Sequence, residues 1–200
     1  NKVMNLTAIT EFDEVIEKHF LDSLSLVRVF DLNRNVKILD LGTGAGFPGI
    51  PLKITFPEID IVLADSLNKR VKFLNEVVET LQLNQVETVH GRAEELAKNK
   101  KYREQFDLCT SRAVANLSSL SEYCIPFVKE GGRFISYKSG EIEEEVDQAK
   151  RAIHVLGGKL DQVYKFDLHE QKRSFVIIEK VKKTPAVYPR KAGTPTKEPL

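Results

Sequence analysis

Cysteine is scarce in this sequence. Cys109 and Cys124 are the only two, too few and too isolated for a disulfide framework or a zinc site, and they suit a reducing, cytoplasmic setting. Long apolar runs are missing as well: nothing approaches the roughly 18 residues of a membrane span, and no signal-peptide pattern is present. There is almost no excess of charge of either sign, 30 Lys and Arg against 29 Asp and Glu for a net +1. The molecule as a whole is therefore no polycation, and any RNA contact must come from local patches. Internal repeats, low-complexity tracts and dividing linkers are also lacking. What remains is 200 residues with 42% hydrophobic content, enough for one domain with a sizeable core. No membrane partner and no bound metal are expected, and nothing calls for more than a monomer.

The chain is organised around residues 36–51, VKILDLGTGAGFPGIP. A short run of β-branched and large apolar residues stops at Asp40, as for a strand buried on both faces. Gly42, Gly44, Gly46 and Gly49 follow and allow positive φ and close approach of a ligand to the backbone. Pro48 and Pro51 suit the first turn of a helix beginning near Phe47 to Pro51. Strand, glycine turn and helix N-terminus together make a nucleotide site. Two parses compete. Gly44-x-Gly46-x-x-Gly49 matches a dinucleotide fingerprint, with Asp65 about 20 residues on for a ribose hydroxyl. Asp40-x-Gly42-x-Gly44-x-Gly46 is the first motif of S-adenosylmethionine methyltransferases. Asp40 favours the second, because a carboxylate there attracts the cationic methionine end and repels a pyrophosphate.

Before this centre, Phe12, Val15, Ile16, Phe20, Leu24 and Val27 recur at helical spacing, predicting an amphipathic helix over 10–32 capped by Thr10. His19 on it reads better as a satisfied, partly buried histidine than as a functional imidazole. After the centre, 59–65 is a second strand ending at Asp65, and 68–83 a helix whose early Lys69 and Arg70 oppose the dipole. These two are candidates for RNA phosphates or for a solvated face. A third strand, 86–90, leads into Ala93 and Glu94, which can read an adenine ring; Glu94 can equally be an ordinary acid in a helix first turn. Residues 99–105 read as a solvated, charged loop. The fourth strand, 106–110, runs into Ser111 and Arg112, where Arg112 can hold a substrate phosphate or the cofactor carboxylate; neither an amine-methylating motif nor a cysteine nucleophile stands there. A helix over 116–128, a fifth strand over 133–137 ending at Lys138, a helix over 141–156 and two strands joined as a hairpin at 169–173 complete the domain. Five strands alternate with helices and two close as a hairpin: a seven-stranded, mostly parallel α/β sheet with an antiparallel last strand and helices on both faces, the Rossmann-like methyltransferase architecture. Residues 1–182 form that domain. Residues 183–200 read as a basic tail, with five cations from Lys182 onward against Glu198 alone. Its Arg190 and Lys191, with Lys138, join the phosphate candidates, unless the tail is a solubilising end.

Taken together, MNLTAIT, KHFLDSL, ILDLGTGAGFPGIPL, DSLNKRVKFL, GRAEE, SRAVA and RKAGTPTKEPL resemble the RsmG (GidB) family, bacterial methyltransferases that modify N7 of a guanine in small-subunit (16S) ribosomal RNA. The resemblance spans nearly the whole chain, and the family is expected to carry further residues ahead of Asn1. It implies S-adenosylmethionine as cofactor, the ribosomal RNA or a ribosomal particle as partner, and Gly42, Phe47, Ala93, Glu94 and Arg112 at the cofactor. Guanine N7 carries an in-plane lone pair and no proton, so no catalytic general base is expected and Arg112 serves in positioning. Phe47 or Tyr137 can stack on the base or pack in the core. The alternatives are a methyltransferase for another RNA or a small molecule, an NAD-dependent oxidoreductase, and a non-catalytic RNA-binding module.

Overall fold

The computed structural model describes residues 11–112 and 115–200. Short helical segments follow one another from α1 (Phe12–Val15) through a π turn (Ile16–Leu21) and α2 (Asp22–Leu24) to a 3-10 turn (Ser25–Arg28). Thr10, expected as the cap, lies outside the described residues. The helical path stops at Arg28 rather than at residue 32, because Val29 leaves helical φ and the chain turns to bury Phe30 and Leu32. The sheet then begins with β1 (Lys37–Leu41), followed by α3 (Gly49–Thr55), β2 (Asp60–Asp65), α4 (Asn68–Thr80), β3 (Val86–His90), α5 (Ala93–Leu96) and β4 (Phe106–Arg112). α6 (Leu117–Cys124), β5 (Val128–Ser139), α7 (Glu143–Val155), β6 (Gly158–Leu168), β7 (Gln171–Lys180) and α8 (Thr194–Lys197) complete the chain.

The strand order is β3-β2-β1-β4-β5-β7-β6. β1 pairs in parallel with both neighbours, Leu39 standing between Val62 and Cys109. β7 runs antiparallel to β5 and to β6, so the reversed strand is inserted one place inside the sheet and β6 takes the edge. Strand alternation splits the core into two layers. Leu39, Leu41, Val62 and Cys109 face α6 and α7, where Leu120, Cys124, Ala149 and Ile153 close the layer. Ile38, Ile61, Leu63 and Leu108 face Leu52 of α3, Leu74 of α4 and Leu26 of the N-terminal segment. Both cysteines are free and buried. Among the described residues no helix is long and apolar enough to cross a membrane.

Two expectations are corrected. The loop 99–105 is not simply solvated: Tyr102 is buried, and the Arg103 guanidinium donates to the carbonyls of Ala97, Thr184, Pro185 and Tyr188. The segment after Lys182 is not an irregular tail set apart from the domain. It lies along α6, with Ser119 Oγ donating to the Pro195 carbonyl at 2.7 Å and Ser118 Oγ to that of Leu200 at 3.0 Å. The physical reason is that its backbone carbonyls find side-chain donors on the domain, which a count of its charges does not reveal.

Candidate functional site

Where β1 meets the glycine turn, a single carboxylate orders the loop. Asp40 is wholly buried, and its Oδ2 accepts from Thr43 Oγ1 at 2.7 Å and from the Gly49 N–H at 2.8 Å, tying the two ends of the turn together. Its Oδ1 has no hydrogen-bond partner among the described residues. Burial pushes the Asp40 carboxyl up to about 6, against the pull of the Thr43 and Gly49 hydrogen bonds. Gly49 is needed for close packing: a Cβ there would stand 2.3 Å from Leu63 Cδ2 and 2.8 Å from Asp40 Oδ2. Gly44 is needed for conformation, at φ +62°, and a Cβ built on it would meet nothing within 4 Å. The loop therefore presents bare, open backbone on one side.

Asp65, at the end of β2, lies beside this loop. It accepts from the Gly44 N–H at 3.0 Å and the Leu67 N–H at 2.9 Å, and Arg70 Nη1 stands 3.3 Å away. Glu94, on α5, is nearly buried and accepts from the Gly193 N–H at 2.9 Å. Between them opens a cleft of about 420 Å³, lined by Leu41, Gly42, Asp65, Ser66, Ala93, Glu94, Ala115, Asn116 and Tyr123, and closed by Gly193 and Thr196. It lies at the carboxyl edge of β1, β2 and β3, where open α/β sheets bind ligands, and its size suits a small molecule.

On the other side of the loop, Arg112 ends β4 and reaches the N-terminal segment. Its guanidinium donates to Asp22 Oδ2 at 2.9 Å and to the Lys18 carbonyl at 3.3 Å, and it lies 3.1 Å from His19 Nδ1. Arg173 Nε takes the other Asp22 oxygen at 2.9 Å. The Phe47 ring is sandwiched, with the His19 ring stacked at 4.9 Å and the Arg112 guanidinium 5.3 Å from its centroid. Burial, and then the Arg112 charge, lower the His19 pKa, which keeps the ring neutral and its Nδ1 able to accept. Three elements distant in sequence thus meet in one partly buried ionic knot.

A family model described as rRNA small subunit methyltransferase G matches residues 1–176. This chain belongs to that family. Curated relatives called ribosomal RNA small subunit methyltransferase G, from Lachnoclostridium phytofermentans and from Clostridium novyi, are each 54% identical over all of this chain and 84% and 83% of their own lengths. Among solved structures, TYW2 from M. jannaschii in complex with AdoMet superposes with a TM-score of 0.65 at 16% identity, over 87% of this chain and 80% of that one. A SAM-dependent methyltransferase from Aquifex aeolicus gives 0.61 at 18%, over 82% and 92%. At such identities these two speak for the fold, a Rossmann-like methyltransferase sheet.

Within this family member, the residues anticipated from sequence divide into three groups. Gly42, Asp65, Ala93 and Glu94 come together on the cleft, and Asp40 and Gly44 shape its loop. Gly46 also has positive φ, but it packs against Ile50 and Leu74. Phe47 and Arg112 form the separate knot with His19. The phosphate candidates scatter. Lys69 and Lys191 are exposed, and Arg70 leans on Asp65. Lys138 is engaged by Glu145 at 2.6 Å and by the Ala115 carbonyl. Arg190 closes on Glu122 with Nε at 3.0 Å and Nη2 at 2.7 Å, and Glu122 has no exposed surface. Each of those two neutralises a nearby carboxylate within the fold. Tyr137 is buried, edge-on to Phe175, and donates to the Ser23 carbonyl; it packs in the core. Sequence reading passed over Asp22, Arg173, Glu122 and Arg103.

The cleft fits S-adenosylmethionine on chemical grounds. Open backbone at Gly44, the unpartnered buried oxygen of Asp40, the Asp65 carboxylate at the end of β2 and the Glu94 carboxylate on α5 suit a molecule with a cationic end, a ribose diol and an exocyclic amine.

Proposed function

We propose that this chain transfers a methyl group from S-adenosylmethionine to N7 of a guanine in small-subunit (16S) ribosomal RNA, acting in the cytoplasm as a monomer. What carries the reading is that, in a member of this family, Gly42, Asp65, Ala93 and Glu94 line one cleft, while Phe47, in the same glycine turn as Gly42, packs against Arg112 at the end of β4. The cofactor supplies a methyl on sulfonium, a leaving group that needs no acid. Asp65 would hold ribose hydroxyls, Glu94 and the Ala93 N–H the adenine, and the Gly44 backbone with Asp40 the methionine end. Arg112 and Phe47 orient the acceptor side.

The acceptor nitrogen bears no proton, and the residues around β4's end match that requirement. Asp22 is held between two arginines, and neutral His19 accepts from Arg112. The site's work is alignment, for which positioning supplies on the order of 7–11 kcal/mol. RNA phosphates are met by the exposed Lys69 and Lys191, with the target guanine in an unpaired loop that reaches the cleft. Arg112→Lys should cut methylation of small-subunit RNA through weakened alignment while leaving the pH–rate profile flat between about pH 6 and 9. A bell-shaped profile in the parent protein would sink the base-free mechanism, and label at another atom or another RNA would redirect the substrate.

A further inference from the structure

The chain after Lys182 is placed with more care than a solubilising end requires. Arg103 gathers the carbonyls of Thr184, Pro185 and Tyr188 within 3.2 Å. Further on, Arg190 locks to the fully buried Glu122. These two anchors deliver Gly193 and Thr196 to the cleft. There the Gly193 N–H donates to Glu94 Oε1 at 2.9 Å, and Thr196 Oγ1 and the Tyr123 hydroxyl lie 2.7 Å apart. A nearly buried carboxylate needs hydrogen-bond partners to hold one orientation, and Glu94 takes one from a backbone amide 99 residues away. Without this segment, the cleft would lose one side and Glu94 would face water.

We infer that residues 193–197 are a wall of the cofactor cleft that positions Glu94 for the exocyclic amine of adenine. The inference rests on the reading of the cleft as the S-adenosylmethionine site. Gly193 acts through Glu94 and is a positioning residue; Thr196 and Tyr123 border the ligand directly. Cofactor affinity should therefore depend on a segment that lies outside the matched residues 1–176 and outside the sheet.

The test compares the full chain with one ending at Ala192, which keeps the Arg103 contacts and the Arg190–Glu122 pair. Calorimetric titration with S-adenosylmethionine should show binding weakened at least ten-fold by the truncation. Equal affinity within two-fold overturns the inference. Hydrogen exchange on the full chain gives a second readout that does not depend on the shortened protein folding: S-adenosylmethionine should slow the amides of 193–197 several-fold, and unchanged exchange with the ligand bound overturns the wall. Failure of the full chain to bind S-adenosylmethionine at all would bring down the reading of the cleft itself, and this inference with it.

Discussion

Around the glycine turn, polar contacts span short stretches of chain. Asp40 reaches Thr43 and Gly49, three and nine residues on, and Gly44 reaches Asp65, 21 residues away. Across the cleft the wall is assembled from afar: Arg190 to Glu122 over 68 residues, Arg103 to Tyr188 over 85 and Gly193 to Glu94 over 99. The two sides also differ in how they treat charge. One acid is enclosed under the loop without a cation against it, held by a hydroxyl and an amide. In the wall, buried charges are matched in pairs: Glu122 with Arg190, and Lys180 with Glu104 at 3.3 Å, where burial lowers the Lys180 pKa to about 8. A loop built from neutral donors adjusts when one is removed. A wall built on buried pairs fails when one partner leaves, because the other remains as an uncompensated charge.

The contrast can be broken or sharpened by four variants. The largest effect is expected for Arg190→Ala, which strands Glu122 and should lower stability by about 3–5 kcal/mol in denaturant unfolding; a loss below 1 kcal/mol would show the pair to be dispensable. Asp40→Asn tests the loop through pH. The folded carboxyl, at about 6, lies above its ordinary value of 3.8. The native state therefore keeps a proton that the unfolded chain has released, and stability falls as pH rises through that window and levels off above it. The fall amounts to about 3 kcal/mol, and the amide should abolish it; a parallel decline in both proteins between pH 4 and 7 would mean that Asp40 is not its source. Gly49→Ala forces a methyl group against Leu63 and Asp40, and should cost about 1–3 kcal/mol through overpacking while weakening S-adenosylmethionine binding measured by titration. Smallest is Lys69→Ala with Lys191→Ala, both exposed: stability should stay within about 0.5 kcal/mol, and the salt dependence of RNA binding should lose up to about one ion per site. An unchanged salt slope removes these lysines from the RNA surface.

The loop was legible in sequence because its logic is local. Asp40 at a strand end and glycines at fixed spacing report their own backbone geometry, and the places of Asp65 at the end of β2 and of Glu94 in the helix that follows β3 are read from the order of apolar runs. The ionic knot of Asp22, Arg112 and Arg173 was not legible, since charges 90 and 151 residues apart look like surface residues until the sheet brings them together. The pairings of Lys138 with Glu145 and Arg190 with Glu122 were hidden for the same reason: a cation's sequence neighbours do not reveal which acid awaits it.

By itself, then, the sequence determined the order of strands and helices, the glycine turn, the strand-end acids and the family to which the chain belongs, all of which arise from short-range pattern. Only the tertiary structure decided which charges are paired, that β7 lies inside β6, and that the last residues wall the cleft and do not trail from it. Those outcomes depend on burial and on partners distant along the chain, where the cost of leaving a charge or a carbonyl unmatched selects one arrangement.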